Sequence, residues 1–431
     1  MIKYFGIIIF LLLLAVDRAI YRKEMRLLPL AARRLYLWYS VAIYVVFATA
    51  MLLYSTVTDF PTDRLMHLII WIIWLFFLNA FPKIVYFALS RLGMLLRRPR
   101  SWRVVAVVLA AVVGLAMIWG ATIGRSRIEV RPVTLEFARL PASFDGTRIA
   151  LFADVHLGNM IHSHRQLNRL VYVINATRPD IVVFGGDMVN LKSTEFTPDI
   201  AAILARVQSR YGNFAVLGNH DLGIYVRDSL AHPFRENVDT IVSRFAQAGW
   251  QLLINQTKYI SRGGDSISVP DSIAISGVSF PVDKRFAGRA GNLYPVDMDA
   301  TFAGVPDSVF NIVISHTPDL WDEIAQTPHG DLTLSGHVHA MQFKLSFLGL
   351  RWSPAEWKFR NWSGLYRSGL AGAENGTASA CAARREARSP QPATSATKYL
   401  YVNDGVGYVL YPMRIGTRPE VTLITLKRAA Q

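Results

Sequence analysis

Cysteine is almost missing from this chain. Cys381 stands alone among 431 residues, which excludes an intramolecular disulfide framework and a zinc site built from thiolates. Acidic side chains are also scarce, with 31 Asp and Glu against 46 Lys and Arg, for a formal net charge of +15. No nucleic-acid-binding motif accompanies that charge, so nucleic acid is not the expected partner. Much of it sits instead in short Arg-rich stretches between apolar segments. One runs from Arg18 through Arg22, Lys23 and Arg26 to Arg33 and Arg34, and another holds Arg91, Arg97, Arg98, Arg100 and Arg103. Membrane topology accounts for such placement. A small-x-small cleavage site is lacking after the first apolar core, so IKYFGIIIFLLLLAVDRAIYRK reads as a retained helix and not as a signal peptide.

What is abundant is apolar. Hydrophobic residues make up 52% of the chain and the mean hydropathy is +0.26, both high for a wholly soluble protein. These residues concentrate before about residue 124. Four stretches there, roughly 3–20, 36–54, 66–90 and 104–124, approach the ~20 apolar residues that a bilayer requires. Tyr36, Trp38, Trp71 and Trp102 suit interfacial belts, and Pro82 should kink the third segment while Lys83 reaches toward the interface. The connection STVTDFPTDR carries Asp59 and Asp63 against Arg64, whereas its two neighbours are Arg-rich. The positive-inside rule then puts the N-terminus and everything after Gly124 outside the cytoplasm, with Arg125, Arg127 and Arg131 weighing against that orientation.

From about residue 128 the texture changes to short apolar runs alternating with helical patterns, which implies parallel βαβ units. RIALFADVHLG, DIVVFGGDMVN, FAVLGNHD, NIVISHTPD and DLTLSGHVH each begin as a buried strand and end in polar residues. HRQLNRLVYVINATRPD and TPDIAAILARVQSR have helical spacing. Ligands gather at the carboxyl ends of parallel strands. Collected there are Asp154, His156, Asp187, Asn219, His220, Asp221, His316, His337 and His339. Carboxylate, imidazole and amide oxygen without thiolate suit Mn, Fe or Zn, and a bridging carboxylate can hold two ions about 3.5–4 Å apart. If His337 and His339 continued a strand, residues two apart would face the same side.

The series D-V-H, G-G-D-M-V-N, G-N-H-D, S-H and G-H-V-H resembles the calcineurin-like metallophosphoesterases over about residues 145–428, with all five blocks in family order. It is most similar to the bacterial membrane-associated branch, in which an aromatic stretch like RWSPAEWKFRNWSGLY follows the H-x-H block. The resemblance implies a two-sheet β-sandwich flanked by helices, in four layers α-β-β-α. It assigns Asp154, His156 and His339 to a first divalent ion, Asn219, His316 and His337 to a second, and Asp187 to both. It makes His220 the unliganded catalytic histidine, oriented by Asp221. Two departures stand out. Asn190 replaces a usual Asp, and Ala340 and Met341 replace a frequent Gly-Gly.

These expectations combine into a membrane region at 1–124 with four transmembrane helices, a connector at 125–144 and a phosphoesterase domain at 145–431. The Ala-, Ser-, Thr- and Pro-rich 370–397 segment reads as a flexible insertion. The expected chemistry is in-line attack on a phosphomonoester or phosphodiester by a hydroxide shared between two cations, with His220 protonating the leaving oxygen. The expected substrate is a phosphorylated small molecule or lipid, and the expected location is the bacterial inner membrane with the domain extracytoplasmic. A nucleotide phosphodiesterase and a noncatalytic metal-dependent sensor are the competing readings. His162 and His164 are expected to be solvent-exposed. Arg285 and Arg289 suit either an anion site or a solvated loop. Trp352, Trp357 and Trp362 are expected to pack, with presentation to lipid as the alternative.

Overall fold

The computed structural model describes residues 2–59, 63–226, 234–262, 272–282, 293–348, 350–368 and 397–429, with the side chains before Ile8 and those of 54–64 left aside. Arg285, Arg289, the acidic 55–64 connection and all of 370–397 except Thr397 therefore lie outside the described residues or side chains. The chain forms two compact units, Met1–Gly124 with Leu410–Met413, and Arg125–Val409 with Arg414–Gln431.

The first unit is helical: α1 (Ile2–Lys23), α2 (Leu30–Asp59), α3 (Asp63–Leu95) and α4 (Pro99–Trp119). Among the described residues three segments, Leu30–Leu53, Leu65–Leu95 and Pro99–Gly124, are long and apolar enough to cross a membrane. The first expected segment is helical as α1, with its leading side chains outside the description. Leu35, Leu52, Val104 and Leu115 are exposed, as lipid-facing side chains must be. Pro82 lies inside α3, which continues to Leu95. Lys83 does not reach outward as expected. Its ammonium meets the Asp17 carboxylate of α1 at 2.9 Å and lies over the rings of Tyr36 and Tyr39. A buried counter-charge stabilises an ammonium that is largely removed from water.

The second unit is a sandwich of two six-stranded sheets. One runs in the order β1 (Glu129–Phe137), β14 (Glu420–Arg428), β2 (Arg148–Phe152), β3 (Ile181–Phe184), β4 (Asn213–Ala215), β5 (Gln251–Leu252). The other runs β12 (Gly364–Arg367), β13 (Tyr399–Val402), β9 (Leu332–Ser335), β8 (Asn311–Ser315), β7 (Ser272–Val278), β6 (Gln256–Ser261). β2 to β5 are mutually parallel, as are β7, β8, β9 and β13. The parallel expectation fails at the additions: β14 is antiparallel to β2, and β6 and β12 are antiparallel to their neighbours.

Alternation along each strand builds the layers. Ile149, Leu151, Ile181 and Val183 point between the sheets, where they meet Ile273, Ile275, Ile312, Ile314 and Leu334. Ala150, Phe152, Val182 and Phe184 point the other way, against Leu167, Leu170 and Ile174 of α5 (Ser163–Ala176) and Val238, Ile241 and Phe245 of the helix Phe234–Gln247. Val313 and Val278 pack outward on Leu320 and Ile324, the latter from the short helix Trp321–Gln326. The result is the expected four layers. The helix read over TPDIAAILARVQSR is only Pro198–Leu204, capped by the Thr197 hydroxyl.

Candidate metal centre

Five parallel strands deliver the polar residues to one edge of the sandwich. β2 leads into Asp154 and His156, β3 into Asp187, and β4 into Asn219, His220 and Asp221. From the other sheet, β8 leads into His316 and β9 into His337 and His339. The backbone must turn sharply at each exit. Asp154, His156, Asp187, His337 and His339 all take positive φ, between 48° and 70°. Such conformations cost non-glycine residues roughly 1–3 kcal/mol each and persist only where the surroundings enforce them. The H-x-H reading needs correction here. β9 ends at Ser335, so the two histidines are placed by left-handed turns and not by strand alternation. Ala340 and Met341 also have positive φ, 48° and 45°, a backbone conformation in which glycine would carry less strain. Gly336 is needed for a different reason, because a Cβ there would lie 2.6 Å from an Asp154 carboxylate oxygen.

Donor atoms fall into linked groups, each within 4.8 Å: Asp154, His156 and His339; His156, Asp187 and His220; Asp187, His316 and His337. Asp154, His156, Asp187, Asn219, His316 and His339 are buried, while His337 and His220 are partly open. His156 Nε2 lies 3.0 Å from His339 Nε2, and His337 Nδ1 lies 3.3 Å from His316 Nε2. His316 Nδ1 donates to the Gly185 carbonyl at 2.7 Å, which leaves Nε2 facing Asp187 at 3.2 Å, where a proton on Nε2 pairs with the carboxylate and its loss would free a lone pair. The Asn219 amide is oriented in the same sense. Its Nδ2 donates to the Tyr225 hydroxyl at 2.8 Å, and its Oδ1 sits 3.1 Å from His316 Nε2. The Asp154 carboxylate accepts the His337 N–H at 3.0 Å, and Asp187 Oδ1 accepts the His220 N–H at 2.8 Å.

The electrostatics of this cluster fit a cation. Burial drives His337 down to about 3 and holds His156 and His339 well below the ordinary imidazole range. Neutral imidazole is the form that ligates metal. Burial pushes Asp154 up to about 8. For His316 burial opposes charge, but adjacent Asp187 prevails and raises it to about 9. Burial likewise opposes ionisation of Asp187, and His316 and His220 outweigh it and hold the carboxyl well below its usual range. Protons thus partly neutralise the two carboxylates. Divalent cations would do so while also taking as ligands the imidazole nitrogens that now face one another.

The structure changes the part assigned to Asp221. Its carboxylate does not orient the His220 ring. It accepts the backbone N–H groups of Asp187, Met188, Val189 and Gly218 at 2.8–3.1 Å, clamping the β3 exit to the β4 exit. The His220 ring is oriented by the Asn190 carbonyl, 2.5 Å from Nδ1. A carboxylate adjacent in sequence was the visible candidate, whereas a backbone carbonyl thirty residues away leaves no mark in the sequence. The Asn190 side chain accepts a hydrogen bond from Asn159 Nδ2 at 2.8 Å. Other supports were equally invisible. Glu195 accepts the N–H groups of Gly158, Asn190 and Leu191, and fully buried Arg414 lies 3.4 Å from His339 Nδ1. His162 and His164 are exposed and take no part in these groups.

The same stretch of chain is similar to known proteins. Residues 147–341 match the family described as calcineurin-like phosphoesterase. The uncharacterized metallophosphoesterase YkuE of Bacillus subtilis (strain 168) is 26% identical over 301 residues, covering 70% of this chain and 86% of that protein. A transmembrane protein with metallophosphoesterase domain from Danio rerio is 27% identical over 373 residues, covering 84% of this chain and 72% of its own length. The UDP-2,3-diacylglucosamine pyrophosphatase LpxG of Chlamydia trachomatis (serovar D) is 24% identical over 265 residues, 55% of this chain and 77% of that one. Residues 147–341 thus match the calcineurin-like phosphoesterases, and the chain is a phosphoester hydrolase with helices long and apolar enough to cross a membrane.

Proposed function

We propose that the chain is a membrane-anchored binuclear phosphoesterase acting on a phosphorylated lipid or envelope compound. The observation that carries this reading is the linkage of the donor groups through Asp187 and His156. Asp154, His156 and His339 would hold one cation of the Mn, Fe or Zn type, His316, His337 and Asn219 would hold the other, and Asp187 would serve both. When bound, the cations supply positive charge against the phosphoryl oxygens and lower the pKa of water.

The remaining work falls to the chain's own side chains. Asp187 and Asp154 are each fixed through a backbone N–H, so their free lone pairs keep one direction. His220, with Nδ1 donating to the Asn190 carbonyl, can in its imidazolium form donate the Nε2 proton to the leaving oxygen or stabilise charge on the phosphoryl group. The partly open His337 and His220 form the substrate side, where Phe280 and Phe359 lie against His337 with ring centroids 5.5 and 5.6 Å away. Those apolar walls limit water around the reacting phosphate.

Support for a lipid-linked substrate comes from the membrane helices and from likeness to a pyrophosphatase of UDP-2,3-diacylglucosamine. The Arg-rich connections support an extracytoplasmic domain in a bacterial inner membrane. Purified full-length protein with added Mn²⁺ is expected to hydrolyse bis(p-nitrophenyl) phosphate and to lose that activity on chelation. No turnover with any of Mn²⁺, Fe²⁺ or Zn²⁺ would leave a binding protein. A panel of lipid and nucleotide phosphoesters then separates the lipid reading from a nucleotide phosphodiesterase.

A further inference from the structure

Strands β10 (Leu345–Phe347) and β11 (Leu350–Trp352) pair with each other and join neither sheet. Their hairpin directly follows the His337–His339 turn, and its apolar side chains are bare. Leu345, Phe347, Leu348 and Leu350 are 50%, 73%, 85% and 64% exposed, and Trp357 just beyond is 74% exposed. Among the described residues after Gly124, the other exposed large apolar side chains are Val130, Ile161 and Tyr172. Five of these eight therefore fall within thirteen consecutive residues. An isolated two-stranded hairpin is marginal in water, and a clustered apolar surface marks an interaction site.

The hairpin is nonetheless firmly mounted. Phe343 bridges Ile415, and the Lys344 N–H donates to the Ile415 carbonyl at 2.9 Å. The Lys344 ammonium pairs with buried Asp404. Arg351 donates to the Ser363 carbonyl at 3.1 Å and lies over the Trp362 ring, while the Ser353 hydroxyl donates to the Ala340 carbonyl at 2.7 Å. Sequence and mounting together present a fixed apolar tip.

The composition says what covers it. Around the tip, from Leu345 to Leu350, the one side chain able to hydrogen-bond is that of Ser346. A protein partner would ordinarily find about one hydrogen bond per 100–200 Å² of interface. Exposed Trp357, Lys358 and Arg360 follow the apolar tip. Aromatic and basic side chains bordering an apolar element are the pattern of a bilayer interface, where the rings sit among headgroups and the cations meet lipid phosphate. The domain is also covalently continuous with helices long and apolar enough to cross a membrane, which would keep a bilayer at high effective concentration.

We infer that the β10–β11 hairpin inserts into the bilayer surface, with Leu345, Phe347, Leu348 and Leu350 in the acyl boundary and Lys358 and Arg360 at anionic headgroups. Phe359 of the same segment packs against His337, so insertion brings the open side of the metal centre to the level of lipid phosphates. The inference is independent of the metal chemistry, and its test reads no activity.

The test uses full-length protein in nanodiscs of phosphatidylcholine and phosphatidylglycerol. Cys381→Ser removes the native thiol, and Leu348→Cys or, separately, Tyr172→Cys carries a nitroxide. Tyr172 is 74% exposed on α5 and serves as the aqueous reference. The expected result is a Leu348 label more accessible to oxygen than to a water-soluble nickel chelate, with the opposite ranking at Tyr172. Equal access of both labels to the chelate would overturn the inference. Shielding of the Leu348 label from both reagents, with spin–spin broadening, would overturn it in favour of a second copy covering the hairpin. Unchanged thermal unfolding of the labelled variants shows that either result comes from folded protein.

Discussion

Each unit of this chain buries a cluster of polar groups, and the two clusters are built in opposite ways. In the helical unit both oxygens of Asp17 are engaged, one by the Tyr36 hydroxyl and Lys83, the other by the Tyr44 hydroxyl. Charge meets counter-charge and the network closes on itself. In the sandwich unit imidazole nitrogens face imidazole nitrogens at 3.0 and 3.3 Å around two carboxylates. A closed network holds its own structure. A cluster whose ligand-type nitrogens and oxygens converge is arranged for something else, and here the donor set suits divalent cations. The difference teaches that burial of charge alone does not identify a site. What identifies it is whether several metal-type donors converge on one point.

Substitutions can break that contrast. The largest effect is expected for Asp187→Ala, since Asp187 belongs to two of the three donor groups. Both ions should be lost or poorly held, and turnover should fall by roughly 10³-fold or more, as several kcal/mol of charge stabilisation would go with them. Elemental analysis of the purified variant decides the matter, and two ions retained per chain would refute the shared role.

His220→Ala sharpens the boundary between holding metal and using it. Its Nδ1 is bonded to the Asn190 carbonyl, so the ring can leave without opening the other donor groups. Turnover should drop about 10²–10⁴-fold with metal content kept. An ester with a low-pKa leaving group should recover part of the loss, because it needs little protonation. Parallel loss of metal and activity would make His220 a ligand.

The smallest effect on catalysis is expected where the network is closed. Asp17→Asn should leave Lys83 without its counter-charge and lower the stability of the helical unit by about 1–3 kcal/mol. Metal content and turnover of a water-soluble diester should stay unchanged. Thermal unfolding in detergent, read beside metal analysis, measures both. Loss of metal in this variant would erase the distinction between the two clusters.

Hydropathy and the positions of arginine made the helical unit legible, because a bilayer selects by length and composition alone. Strand-end residues such as Asp154, Asp187 and His316 were legible because parallel strands expose their carboxyl ends together. The order of residues therefore determined the existence of α2, α3 and α4, the core strands of the sandwich and the set of metal-type donors. Tertiary structure alone decided how those donors are used. Asp221 clamps backbone instead of a histidine ring, a carbonyl of Asn190 takes its place, Tyr225 aims Asn219, and Lys83 turns inward to Asp17. The reason is physical. Composition and periodicity record which side chains are buried, but backbone groups carry no residue identity, and long-range pairing depends on where the fold brings two distant segments together.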